Sequence, residues 1–259
     1  DCNTDQFKVK LTGDDADQYT EKDKLLSARM YKAITIILFK LEGQKIQRRP
    51  EFQMDDRLLM DNENVDYYAT FDNWLVGTKQ GEFIRDALDL DNAEGPFNIE
   101  FITGDPGDNN INFFFDGAIS VLQPYIDSGK LVALSGQYDK MTVATEGWAT
   151  DKAQARFETI LGTYYADAPL HAVLASNDST ALGVANALAS SYTGKYPVIT
   201  GQDCDIANMP NIINGKQAMS VFKDTRTLAG KVVEMVQAIV EGKEPPINDT
   251  ETYDNGTGV

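Results

Sequence analysis

Short apolar segments alternate with amphipathic segments along most of the chain. The run AITIILF at residues 33–39 is continuously apolar, which is typical of a strand buried on both faces. HAVLAS at residues 171–176 predicts another strand, and the stretches at 74–88 and 179–192 have the apolar spacing of amphipathic helices. This alternation indicates parallel βαβ units rather than an all-α or all-β fold. The sequence therefore predicts an α/β protein.

The same pattern places the other predicted elements. Further strands are predicted at residues 7–11, 51–56, 65–72, 97–104, 130–136, 196–203 and 218–224. Further helices are predicted at residues 19–30, 112–127, 150–166, 208–215 and 225–242. Thr150 is the predicted cap of one helix, and Gly215 and Gly242 are predicted to end two others, because glycine commonly terminates helices.

Composition excludes several classes of function. The formal net charge is −17, whereas a nucleic-acid-binding surface is basic, so nucleic acid is excluded as a partner. No apolar run approaches the roughly 20 residues of a membrane-spanning helix. Cys2 and Cys204 have no metal-site spacing and predict neither a disulfide framework nor a zinc site. The chain has one histidine, His171, which is predicted to lie at the surface or at a strand edge. A single histidine disfavours most serine and cysteine catalytic triads and histidine-rich metal sites.

Polar side chains recur directly after predicted strands. In a parallel sheet the carboxyl ends of the strands share one edge, and open α/β sheets bind their ligands there. A single Asp or Asn at a strand end is more often a helix cap or a turn residue, so the recurrence carries the inference rather than any one position. The residues concerned are Asp55, Asp56, Arg57, Asp105, Asp108, Asn109, Asn110, Asn112, Asn177, Asp178, Gln202, Asp203, Lys223 and Asp224.

The chemical types of these side chains suit a sugar. Asp, Asn and Arg present planar groups that can each bind two neighbouring hydroxyls, and an aromatic ring can cover the apolar C–H face of a sugar. Trp148, just before a predicted helix, is the candidate ring, and core packing is an equally open interpretation of it. Phe113, Phe114 and Phe115 are interpreted mostly as core residues.

Several long motifs resemble a known family. They are MDDRLLMDNENVDYYATFDN, GPFNIEFITGDPGDNN, FFFDGAISVLQPYIDSGKLV, TGQD, VFKDTRTLA and EGKEPPINDTETYDNG. These are similar to the multiple-sugar-binding periplasmic receptors of bacterial ABC transporters, which belong to the ribose/galactose-binding cluster of type I periplasmic binding proteins. The resemblance covers residues 53–259 strongly, whereas residues 7–46 match in pattern alone. The family's first strand and helix are expected ahead of Asp1 and are missing from this sequence.

The resemblance implies two Rossmann-like lobes with parallel sheets, joined by a three-crossing hinge, with the sugar clamped between the lobes. It assigns residues 1–102 and 226–259 to a discontinuous and incomplete amino-terminal lobe, and residues 103–225 to a carboxy-terminal lobe. Matching the motifs residue by residue also implies the sugar contacts. These are Asp56, Arg57, Asp108, Asn110, Trp148, Asn177, Asp203 and Lys223.

The function implied by the resemblance is capture of a monosaccharide and its delivery to an ABC transporter permease, without catalytic residues, metal or cofactor. A chemoreceptor or sensor kinase is a further implied partner, and the implied location is periplasmic or extracytoplasmic and membrane-anchored. Two hypotheses from other classes stay open. One is the effector-binding domain of a sugar-responsive transcriptional repressor, which shares this fold, and the other is a glycosidase with an acid pair. A DNA-binding segment upstream would identify the repressor, and product release from an oligosaccharide would identify the glycosidase.

Overall fold

The computed structural model describes residues 67–246 and three strands that precede them. The chain divides into two compact units. One contains the described residues up to Phe71 together with those from Asp224 onward, and the other runs from Asp72 to Lys223. The second unit contains six of the predicted sugar contacts, so it is the unit that positions the candidate site.

The described strands of the first unit form a mixed sheet. They are β1 (Phe7–Leu11), β2 (Ile34–Leu38), β3 (Glu51–Gln53) and β4 (Tyr67–Tyr68), paired in that order. β1 and β3 are both antiparallel to β2, and β4 is parallel to β3. The predicted parallel pairing is therefore wrong for β1 and β2. The β1 sequence FKVKL alternates apolar and polar residues, a pattern typical of antiparallel strands with one solvated face, and this signal was available in the sequence.

The second unit is built on a parallel sheet. Its strands are β5 (Phe97–Ile102), β6 (Leu131–Val132), β7 (Ala172–Ala175) and β8 (Val198–Ile199), in the spatial order β6-β5-β7-β8. All the pairings are parallel. A single parallel bridge between Gln202 and Val221 continues the sheet beyond β8, where the sequence predicted a full strand at residues 218–224. The carboxyl ends of β5, β7 and β8 therefore share one edge, as the sequence predicted.

Helices cover both faces of this sheet. They are α1 (Asn73–Ala87), α2 (Asn110–Asp127), α3 (Thr150–Tyr164), α4 (Asp178–Ser191) and the short α5 (Met209–Ile213). Successive residues of β7 point to opposite faces: Ala172 and Leu174 pack with α1 and α2, whereas Val173 and Ala175 pack with α3 and α4. Because both of its faces are buried, β7 is continuously apolar, which is the kind of run from which the α/β class was predicted.

Most helix boundaries agree with those predicted from the sequence, but one predicted cap does not. The predicted cap of α3 at Thr150 is wrong: Ala149 is the N-cap residue, and the Thr150 hydroxyl instead donates to the Ser179 carbonyl. Gly215 and Gly242 both adopt the left-handed conformation expected of residues that end helices. The last helix, α6 (Thr225–Val240), belongs to the first unit and packs through an apolar stripe that includes Val232 and Val236.

The unit boundaries differ from the predicted lobes. The second unit begins at Asp72, rather than at residue 103, and ends at Lys223. The physical reason lies in the sheet, since β5 is paired on both sides, with β6 and with β7. α1 covers one face of that sheet and packs against α2. Residues 72–102 therefore share the core of residues 103–223.

Candidate functional site

The candidate site lies at the carboxyl edge of the parallel sheet in the second unit. The predicted contacts lie in the segments that follow β5, β6, β7 and β8, and Lys223 comes just after the bridged residue Val221. Asp56 and Arg57 lie outside the described residues. The six others, Asp108, Asn110, Trp148, Asn177, Asp203 and Lys223, all lie in this unit. His171 lies at the opposite, amino end of β7, where its Nδ1 accepts a hydrogen bond from the Asn98 backbone N–H, so it has a structural role.

The indole of Trp148 is held from three directions. Its Nε1 donates to Asp108 Oδ2 at 3.0 Å, and its ring meets the Phe114 ring edge to face at a centroid distance of 6.2 Å. The ring also lies directly on the backbone of Gly104, because a Cβ added there would be 2.0 Å from an indole carbon. Trp148 has a φ of 54°, a strained conformation for a bulky residue, which persists where the surroundings enforce it.

Backbone contacts fix the loop that carries this indole. Thr145 N–H donates to the Gly104 carbonyl at 2.8 Å, and Gly147 N–H donates to Asp105 Oδ2 at 2.6 Å. Asp105 thereby joins the loop after β5 to the loop of Trp148. The sequence placed Asp105 at a strand end but not among the sugar contacts, and its role as a tether depends on a partner 42 residues away.

Asp108 and Asn110 form a buried polar pair at the start of α2. Asp108 Oδ1 accepts from the Asn110 backbone N–H at 3.0 Å, while its other oxygen accepts from Trp148. Asn110 Oδ1 accepts from Asn73 Nδ2 at 2.9 Å. Asn73 could not be predicted from the sequence, because nothing in the local pattern joins the first turn of α1 to the first turn of α2.

Asp203 and Lys223 form an ion pair at the carboxyl edge of the sheet. Lys223 Nζ is 3.1 Å from Asp203 Oδ1, and the two side chains are only 11% and 9% exposed. The ammonium also lies 5.3 Å from the centroid of the Phe114 ring, within cation–π range. Phe114 therefore contacts Trp148 with one part of its ring and Lys223 with another. Asp203 and Cys204 both have positive φ angles, so the turn after β8 holds two strained residues in succession.

Asn177 serves first as a helix cap. Its Oδ1 accepts from the backbone N–H and the hydroxyl of Thr180, each at 2.9 Å, which satisfies a terminal amide of α4. Because the carbonyl oxygen is committed to the cap, the amide NH₂ is the part of Asn177 that can donate to a ligand.

The neighbouring Asp178 organises the loop after β8. Its carboxylate accepts from the backbone N–H of Asp205 at 2.8 Å, from Gln217 Nε2 at 2.7 Å and from the Ser220 hydroxyl. The carboxylate is fully buried, and burial raises its pKa. The Asp178 side chain is therefore part of the framework that holds the turn of Asp203 in place, rather than a ligand contact.

Asp205 lies beside this framework with an elevated pKa. Burial, followed by the nearby carboxylates of Asp203 and Asp178, raises its pKa from 3.8 to about 6, although Lys223 acts in the opposite direction. The ionised form is thus disfavoured in the folded state, and the unit loses stability as pH rises from about 4 through 6.

We expect Asp205→Asn to be more stable than the parent protein above pH 6, because asparagine reproduces the neutral form. The difference in the free energy of unfolding should shrink as pH falls and disappear below about pH 4, where aspartate is neutral in both the folded and unfolded states. Urea unfolding at pH 4, 6 and 8 measures this. Asp167→Asn, the same change at an exposed position, is the control, and equal stability of Asp205→Asn and the parent at pH 8 would contradict the prediction.

Neither a metal site nor a membrane span is found in the described part of the chain. Among residues 69–246, no group of three or more His, Cys, Asp or Glu side chains is arranged to hold a metal ion. No helix within the described ranges has the length and hydropathy needed to cross a bilayer.

Known proteins resemble most of the chain. The model of the periplasmic binding protein domain matches residues 52–244. The multiple sugar-binding periplasmic receptor ChvE of Rhizobium radiobacter is 50% identical over 208 residues, which are 79% of this chain and 59% of that protein. The crystal structure of an ABC transporter solute-binding protein from Clostridium phytofermentans with bound β-D-glucose is 61% identical, with a TM-score of 0.73, and covers 78% of this chain and 63% of that one.

A second solved structure has the same coverage. The carbohydrate transporter solute-binding protein of Chloroflexus aurantiacus, in complex with D-glucose, is 33% identical with a TM-score of 0.64, and the match covers 78% of this chain and 63% of that one. The chain therefore spans less than two thirds of the length of each of these three relatives.

The beginning of the chain resembles a different family. Residues 1–74 match the model described as Firmicute fructose-1,6-bisphosphatase. The class 3 fructose-1,6-bisphosphatase of Alkaliphilus metalliredigens is 52% identical over 66 residues, which are 26% of this chain and 9% of that enzyme. The two family matches overlap at residues 52–74, and Asp56 and Arg57 lie in the overlap. Their assignment as sugar contacts stays a prediction.

Proposed function

Since the chain belongs to the periplasmic binding protein domain family, as its motifs predicted, we propose that it captures a monosaccharide at the carboxyl edge of the second unit. Its partner in the proposal is an ABC transporter permease, to which it delivers the sugar, and its proposed location is the periplasm. A chemoreceptor or sensor kinase stays a predicted further partner.

The observation that carries the proposal is the arrangement around Phe114. Its ring lies against both the Trp148 indole and the Lys223 ammonium. The Trp148 indole and the Asp203–Lys223 ion pair are thereby held together at the carboxyl edge of the sheet. This combination suits a molecule with an apolar face and a rim of hydroxyls, since the indole covers C–H groups and the charged groups hydrogen-bond to hydroxyls.

The supporting polar groups are fixed before any ligand arrives. Asp108, Asn110 and Asn177 are buried and each is oriented by at least one hydrogen bond within the unit. Binding therefore needs little ordering of these side chains, which lowers its entropic cost. The ligand class proposed is a neutral aldohexose, and D-glucose is the first candidate because two relatives contain glucose. The proposal rests on these residues rather than on Asp56 and Arg57.

Catalysis is not part of the proposal. The likeness to fructose-1,6-bisphosphatase is confined to residues 1–74 and corresponds to 9% of the Alkaliphilus enzyme. The sugar-receptor likeness includes every described residue of the candidate site. We therefore propose binding without turnover for this chain.

Thermal unfolding with a panel of aldoses tests the proposal. We expect D-glucose at 100 times its Kd to stabilise the protein by about 2.7 kcal/mol, because a ligand that binds only the folded state shifts the equilibrium by mass action. Isothermal titration calorimetry then gives the affinity. Trp148→Ala serves as the binding-deficient variant.

Two results would contradict the proposal. One is the absence of stabilisation by any monosaccharide in a preparation whose circular dichroism shows a folded α/β protein. The other is release of inorganic phosphate from fructose 1,6-bisphosphate at a rate that depends on this protein, since binding without turnover excludes it.

A further inference from the structure

Gln80 is a buried polar residue on α1 that takes no direct part in the candidate site. It is fully buried, and a buried amide is costly unless its hydrogen bonds are made. Its Nε2 donates to the Ser176 carbonyl at 3.2 Å and to the Gly201 carbonyl at 3.0 Å. One side-chain nitrogen therefore connects the backbone beyond β7 to the backbone beyond β8.

These two carbonyls belong to residues that lie one and two positions before predicted sugar contacts. Ser176 is followed by Asn177, and Gly201 is followed two residues later by Asp203. Gln202 adds a second donor to the Ser176 carbonyl, through its Nε2 at 2.7 Å. The spacing between the Asn177 and Asp203 backbones at the edge of the sheet is thus set partly by side-chain amides rather than by the sheet ladder alone.

The Gln80 amide acts only as a donor. Its Oε1 is buried and has no hydrogen-bond partner among the described residues, and the same holds for Gln202 Oε1. The contribution of Gln80 therefore comes through its two N–H groups. A carboxylate at this position would instead face two carbonyl oxygens and be repelled by them.

The helix that carries Gln80 is itself held firmly. α1 contacts α2 through glycines, since a Cβ at Gly77 would lie 2.1 Å from the Phe114 carbonyl oxygen and a Cβ at Gly81 would lie 2.7 Å from the Ala118 carbonyl oxygen. Glycines inside a helix lower the intrinsic stability of the helix. Here the close packing of α1 against α2 offsets that loss. Gln80 is thus anchored on a helix that has no room to shift toward α2.

We propose that Gln80 is a positioning residue for sugar binding: its amide fixes the distance between Asn177 and Asp203 by bridging the Ser176 and Gly201 carbonyls. The inference rests on the proposed function, and it identifies a residue that determines affinity without touching the sugar. Trp148, which follows a different strand, is outside this bridge.

Gln80→Met in the full chain removes the donors at nearly constant side-chain length. We expect it to lower D-glucose affinity by about 3- to 30-fold. Combined with Asn177→Ala or Asp203→Asn, it should lower the affinity by less than the sum of the two separate losses in binding free energy, because the effects of coupled residues are not additive. Combination with Trp148→Ala should be additive. Gln123→Met, the same change at an exposed position of α2, is the matched control and should bind as the parent does.

Gln80→Glu supplies a pH-dependent readout of affinity, measured at pH values where circular dichroism shows that the variant is fully folded. A protonated Glu can donate one hydrogen bond, whereas an ionised Glu cannot. We expect the affinity of Gln80→Glu, relative to the parent at the same pH, to be lowest at pH 8 and to recover as pH falls to 5. This variant also keeps the inference testable if Gln80→Met does not fold.

Different results would contradict the inference and the proposed function. Parental affinity in Gln80→Met, full additivity with Asn177→Ala and Asp203→Asn, or a flat pH ratio for Gln80→Glu would each overturn the inference. If the parent chain binds no sugar, the proposed function fails, and amide hydrogen exchange still tests the bridge that Gln80 forms. The Asp178 backbone N–H donates to the Gln202 carbonyl, and the Val221 backbone N–H donates to the Gly201 carbonyl. Both amide hydrogens should exchange faster in Gln80→Met than in Gln123→Met. Equal exchange would overturn the bridge.

Discussion

Trp148→Ala should lower D-glucose affinity by roughly 5- to 150-fold, which corresponds to about 1–3 kcal/mol of binding free energy. The indole is half-buried and held by Asp108, Phe114 and Gly104, so it offers a pre-oriented apolar surface to the sugar. Isothermal titration calorimetry measures the loss. The substitution should leave the fold intact, because the sheet core is formed by other residues.

Two further variants sharpen this test. Trp74→Ala changes the other tryptophan, which is 47% exposed on α1, and should bind as the parent does. Gly104→Ala keeps the indole but inserts a methyl group where the ring lies, so it should displace the ring and reproduce much of the affinity loss. Normal binding by Gly104→Ala, or by a folded Trp148→Ala, would show that the indole is a packing residue.

The elements of the second unit could be predicted from sequence because their signals are local. β5 and β7 are marked by short, mainly apolar segments, and the helices that follow them are marked by helical spacing of apolar residues. Both patterns depend on neighbours a few residues away. The edge of the sheet could also be predicted, since polar residues recur after the strands. Their convergence follows from parallel pairing, which the pattern of alternating strands and helices indicates.

The roles of individual polar residues could not be predicted in the same way. In the segment SNDST at residues 176–180, Asn177 caps α4, whereas Asp178 accepts from Asp205, Gln217 and Ser220. These partners of Asp178 lie 27 to 42 residues away along the chain. A side chain that caps a helix and one that supports a distant loop look alike in a one-dimensional pattern. Gln80 was missed for the same reason.

The second compact unit begins earlier in the chain than the lobe boundary that the resemblance implied. The resemblance implied a crossing at the end of β5, whereas the second unit begins before α1. Glycines mark the difference: Gly77 and Gly117 allow α1 and α2 to approach closely, which commits α1 to the sheet of β5. A glycine inside a predicted helix only weakly indicates that another helix packs closely against it. The packing partner becomes evident only once the fold is known.

Asp203→Asn should destabilise the protein by about 2–3 kcal/mol and also weaken sugar binding. The change removes the carboxylate charge opposite Lys223 at a place where both side chains are about nine-tenths buried, and breaking one side of a buried pair is strongly destabilising. Asparagine is the suitable replacement because it tolerates the positive φ at this position better than most residues. Urea unfolding measures the stability, and calorimetry measures the D-glucose affinity.

Asp203→Asn combined with Lys223→Met separates the two effects. The double variant has no unbalanced ammonium, so it should regain part of the lost stability, as expected when both members of a buried pair are replaced. It should not regain affinity, because the charged hydrogen-bonding groups are still absent and such bonds contribute about 1.5–3 kcal/mol. If the double variant binds D-glucose as tightly as the parent, then Asp203 and Lys223 serve only the fold. In that case the described part of the candidate site is reduced to Asp108, Asn110, Trp148 and Asn177.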